Sequence, residues 1–95
     1  MKIISHQWKI RIVDRKEINN CDGRTRPNDF EILIADDLSG KARQITFLHE
    51  LVHAILAEQG RCYDKTTTIE NMCEFIGWNY DEIDRCLDEF IGEIG

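Results

Sequence analysis

A chain of 95 residues with a formal net charge of −6 is long enough for one domain with a small core and too short for a second. Its acidic balance argues against nucleic acid as a partner, because phosphate binding needs a basic face, and no run approaches the length that crosses a membrane. Met1-Lys2-Ile3-Ile4 is followed by polar residues rather than a signal-peptide apolar region, so the chain is expected in the cytoplasm with Cys21, Cys62, Cys73 and Cys86 reduced.

Residues 2–4 and 8–13 read as strands around the polar turn Ser5-His6-Gln7. In the second, Trp8, Ile10 and Ile12 alternate with Lys9 and Arg11, the period of a half-buried strand. From Arg15 to Asp29 the chain is polar and carries the turn formers Asn19-Asn20, Asp22-Gly23 and Pro27-Asn28, which predicts a long excursion with one short strand around residues 20–25. Phe30 to Ala35 is the clearest strand, with Phe30, Ile32 and Ile34 on one face, and it is the candidate sheet edge for docking an extended substrate.

Ser39 is the expected N-cap of a helix running to about Glu58, with Gly60 closing it. After a connection from Arg61 to Thr66, Ile69, Met72, Cys73, Ile76, Tyr80, Ile83, Leu87, Phe90, Ile91 and Ile94 recur at helical spacing, so a second helix is predicted over about 67–91, with Gly77 as a candidate bend. Cys73 and Cys86 read as small core residues of that helix. Residues 66–95 hold 1 basic and 8 acidic side chains, the signature of a solvated helix face. The expected architecture is α+β: a single domain over residues 1–95 with a short antiparallel sheet of about three strands packed on two helices.

The first helix carries His49-Glu50-Leu51-Val52-His53. Residues four apart lie on one helix face, so His49 and His53 can both present an imidazole nitrogen to one zinc ion. Glu50, about 100° around the helix from His49, can reach a water held on that ion without ligating it, which is the place of a general base. Shuffling this composition produces the motif about 0.006 times per chain. The flanking Ile45, Phe47, Leu48, Leu51, Val52, Ala54, Ile55 and Leu56 are apolar, so Thr46, His49, Glu50 and His53 form the only polar stripe of an otherwise buried helix.

Catalytic zinc takes three protein ligands plus water. The metzincin pattern would need Gly at position 56 and His at 59, where Leu56 and Gln59 stand. His6 is the remaining histidine and lies in the N-terminal turn. An antiparallel second helix would bring Glu70 and Glu74 alongside the motif, one as ligand and the other behind a ligand histidine. Thr67-Thr68-Ile69-Glu70 also reads as a capping box, in which Glu70 bonds the backbone of Thr67. Tyr63, Arg61 and Tyr80 are candidate donors to a developing oxyanion.

The run from Ile45 to Leu56, followed by Glu70 and Glu74 and preceded by the strand Glu31 to Ala35, resembles the minimal gluzincin peptidases of the ImmA/IrrE type and their small phage-borne relatives. Cys73-Glu74 stands where that family commonly has Ala-Asn. The resemblance implies a small zincin-like domain and a zinc metallopeptidase. It further implies that Glu70 joins His49 and His53 as third ligand and that a regulatory or repressor protein is the substrate. Two rival readings are a zinc-binding protein-interaction module of phage type without peptidase activity, and a metal-free α+β interaction module.

Overall fold

A computed structural model describes residues 1–60 and 69–94. Among these described residues there are five strands: β1 (Lys2–Ile3), β2 (His6–Gln7), β3 (Lys9–Val13), β4 (Gly23–Arg26) and β5 (Glu31–Ala35). Three helices follow: α1 (Gly40–Glu58), α2 (Ile69–Trp78) and α3 (Tyr80–Glu93). Single 3₁₀ turns at Arg15–Ile18 and Pro27–Asp29 flank β4.

The sheet departs from expectation in direction and order. β1 and β2 form a separate antiparallel hairpin, with Ile3 opposite His6, so Ser5-His6-Gln7 is part strand and the turn sits at Ile4-Ser5. The other strands form one sheet in the order β3-β5-β4. β3 runs parallel to β5, with Ile10 opposite Ile32 and Ile12 opposite Ile34, while β4 is antiparallel to β5, with Thr25 opposite Ile32. The sheet is therefore mixed, and residues 31–35 are its centre rather than its edge. The reason lies in β5 itself. Ile32 and Ile34 join the main core against α1, while Leu33 and Ala35 are buried on the opposite face with Val13 and Ile18. A strand apolar on both faces belongs between two neighbours under cover on both sides, and the polar Gly-Arg-Thr-Arg of β4 tolerates the edge.

α1 lies between the sheet and α3. Phe47, Leu51, Ala54 and Ile55 of α1 meet Ile83, Cys86 and Phe90 of α3 in one core, and the rings of Phe47 and Phe90 stack with centroids 4.0 Å apart. Burial pushes the Cys86 thiol up to about 11. Gly60, at φ +68°, ends α1 in the left-handed conformation that glycine adopts without a Cβ penalty.

The second helical stretch is two helices rather than one, and the break falls at Asn79 rather than Gly77. Asn79 is 8% exposed, and its amide donates to the Phe75 carbonyl at 2.9 Å and accepts from Gln59 Nε2 at 2.7 Å. An asparagine side chain that competes for backbone partners interrupts a helix where a small residue alone need not. Cys86 is buried as expected, but Cys73 is exposed. It sits about 100° around α2 from Met72, off the stripe that faces the core.

The hairpin docks on the C-terminal end of α1 through Glu58, whose side chain is 3% exposed. Trp8 Nε1 donates to it at 2.9 Å and His6 Nδ1 lies 2.8 Å from it. Burial alone would raise this carboxyl, but the hydrogen bonds from Trp8 and His6 outweigh it and hold Glu58 below its ordinary value. Among the described residues no helix is long and apolar enough to cross a membrane.

Candidate functional site

The polar stripe of α1 divides in two. Thr46 and Glu50 turn beneath β4 and are 9% and 7% exposed, whereas the His49 side chain is 68% exposed and His53 half-buried. The two imidazoles sit one turn apart with ring centroids 5.0 Å from each other and an angle of 65° between planes. Glu50 Oε2 lies 3.9 Å from His49 Nε2. These three residues line a cleft of about 630 Å³ together with Gly23, Thr25, Pro27 and Leu56. On the other side of the histidines an apolar hollow of about 540 Å³ is lined by Ile45, Leu48, Val52, Met72 and Ile76.

β4 brings two residues to the site that sequence reasoning did not single out. A Cβ on Gly23 would lie 2.7 Å from Thr46 Cγ2 and 3.0 Å from Glu50 Cγ, so the strand passes this close to α1 only because position 23 has no side chain. Thr25 Oγ1 lies 2.9 Å from Glu50 Oε1 and 3.0 Å from the Glu50 carbonyl oxygen. A signal for both was present: two residues apart on a strand, Gly23 and Thr25 are small and share one face, the pattern of a strand that another element approaches closely. Asp22-Gly23 instead read as a turn.

The turn ahead of β4 is braced by Arg15. Its guanidinium takes Asp37 in a two-pronged grip at 2.9 and 2.7 Å and reaches Asp22 at 2.8 Å. The hydrogen bonds Arg15 donates to Asp37 and Asp22 raise it above its ordinary value, and the one Asp37 accepts lowers Asp37. A planar fork on a carboxylate supplies direction as well as attraction, so Asp22, next to Gly23, is held in register.

Two histidines one turn apart with a buried carboxylate beside them are a donor set suited to zinc. The third donor expected on α2 is not gathered with them among the described residues. Glu70 and Glu74 are exposed on α2, and among the described residues no group of three His, Cys, Asp or Glu side chains is placed to hold a metal ion. His6 is engaged instead by Glu58, with its ring stacked on Phe30 at 4.5 Å. Tyr63 and Arg61 lie outside the described residues, and Tyr80 is exposed at the start of α3. The strand bordering the cleft is β4, whereas residues 31–35, expected to be a sheet edge, lie between two neighbours.

No family model, curated protein or solved structure matches the chain.

Proposed function

We propose that the chain is a zinc-dependent peptidase in which His49, His53 and Glu70 hold the ion and Glu50 is the general base. The observation that carries this reading is the position of Glu50. A carboxylate 7% exposed, gripped by Thr25 and opening beside two histidines at one end of a cleft, is costly to bury without a task. A zinc ion bound there would supply Lewis-acid activation of water and of the peptide carbonyl. Glu50 Oε2 accepts a proton from the attacking water as its oxygen adds to the peptide carbonyl carbon, and the same carboxyl gives that proton to the amine nitrogen as the tetrahedral adduct collapses and the C–N bond breaks. An extended protein or peptide segment docks by strand addition along the outer edge of β4, with which no strand pairs among the described residues. The resemblance of the α1 run to ImmA/IrrE-type peptidases points to a regulatory or repressor protein as substrate.

The test is zinc content and casein hydrolysis measured side by side. Wild type should bind one zinc per chain and hydrolyse casein, and His49→Ala, His53→Ala and Glu70→Ala should lose both. Glu50→Gln should keep its zinc and lose about 10²–10⁴-fold in rate. Undiminished zinc in the histidine variants would sink the site, and wild-type hydrolysis by Glu50→Gln would remove Glu50 as base. The second reading is a zinc-binding interaction module without hydrolysis. Stoichiometric zinc with no Glu50-dependent hydrolysis would select it.

A further inference from the structure

We propose that Thr25 is the positioning residue of the general base: by holding Glu50 Oε1 it fixes Oε2 as the oxygen that faces the cleft and takes the proton. The proposal rests on the peptidase reading of the site. Thr25 Oγ1 is 2.9 Å from Oε1 and 3.0 Å from the carbonyl oxygen of the same glutamate. One hydroxyl proton is shared between two acceptors, so the threonine grips Glu50 by side chain and backbone together.

Gly23 closes the grip from the same strand face. A Cβ there would stand 3.0 Å from Glu50 Cγ and 3.2 Å from Oε2, so the backbone of β4 forms a wall against the glutamate stem. A helical glutamate unrestrained in this way has several rotamers open to it, and a base that strays from its attack geometry forfeits rate. Oε2, left outside the grip, lies 3.9 Å from His49 Nε2. The same restraint holds the carboxylate back from swinging onto the histidine pair and becoming a ligand in place of a base. Thr25 acts only through Glu50, and β4 thereby couples the edge that docks the substrate to the base that activates the attacking water.

Thr25→Val keeps the shape and removes the donor, and Thr25→Ser keeps the donor. In zinc-loaded full-length protein with casein as probe, kcat of Thr25→Val is expected to fall by about 10- to 100-fold, with KM and zinc content little changed. Thr25→Ser should recover most of the rate, a rescue that a purely structural role would not produce. A wild-type kcat in Thr25→Val, or a Thr25→Ser variant as slow as it, overturns the proposal.

A second measurement needs neither substrate nor metal. Three-bond couplings along the Glu50 side chain, read by NMR, should report one rotamer in wild type and Thr25→Ser and averaging over several in Thr25→Val, or in Thr25→Ala if valine is not accommodated. A single rotamer retained without the hydroxyl overturns the proposal. Absence of hydrolysis in the wild type sinks the peptidase reading, while the couplings still decide whether Thr25 holds Glu50.

Discussion

Glu50 and Gly23 pose one problem from two sides. The carboxylate is buried because β4 lies directly on α1, and β4 can do so because a hydrogen stands where a Cβ would come within 2.7 Å of Thr46 and 3.0 Å of Glu50. Gly23→Ala must therefore push the strand off the helix or displace the glutamate, and overpacking of this kind costs about 1–3 kcal/mol. Denaturant titration should show that loss, with an unchanged midpoint counting against the close approach. Of the site, the histidine pair and Glu50 were legible in the sequence, since i, i+1 and i+4 spacing on an apolar helix has few other uses. Thr25 and Gly23 left only the faint signal of two small residues on one strand face, because their role exists only across a strand-to-helix contact 25 residues apart in sequence.

The hairpin and α1 are joined through an acid placed at the end of the helix where the macrodipole disfavours it. Trp8 and His6 compensate, and their hydrogen bonds hold the Glu58 carboxyl below its ordinary value against the opposing effect of burial. A carboxyl with a lower pKa folded than unfolded stabilises the native state above its unfolded pKa, about 4.3 for glutamate, and loses that contribution as pH falls through the folded value. Glu82, lowered chiefly by its hydrogen bond from Arg85 with help from the Ile4 N–H, acts with the same sign between the hairpin and α3.

Trp8→Phe, which deletes one donor to Glu58, should cost about 1.5–3 kcal/mol near neutrality. That gap should narrow as the solution is acidified below the unfolded glutamate pKa, and melting temperatures across the acid range would check it. A gap that does not change with pH would mean the indole acts by packing alone.

Helices were the most legible elements, because their apolar stripes repeat over many turns. Strand partners were not. Ile32-Leu33-Ile34-Ala35 is apolar without alternation, and that continuity, more than the periodicity of Phe30, Ile32 and Ile34, is what puts β5 at the centre of the sheet. The helix break escaped notice because Asn79 works through Gln59 and Phe75, partners no local pattern displays.

For the molecule as a whole, an ion bound only by the native state adds RT ln(1 + [L]/Kd), about 2.7 kcal/mol at a hundredfold excess of zinc over its Kd. At about 4–8 °C per kcal/mol for a domain of this size, chelation should lower the melting temperature by roughly 10–20 °C. The shift should survive in Glu50→Gln and vanish in His49→Ala. Coincident melting curves with and without metal would exclude zinc as part of the fold. Cys86 offers an independent clock for the same event. Its thiol is fully buried between α1 and α3 and pushed up to about 11, so an alkylating reagent finds thiolate there only when that seam parts. The exposed Cys21 and Cys73 are reached by reagent without any such opening. With every other cysteine replaced by serine, the rate at which Cys86 is consumed becomes a count of how often the interior opens, taken in native buffer without heat or denaturant.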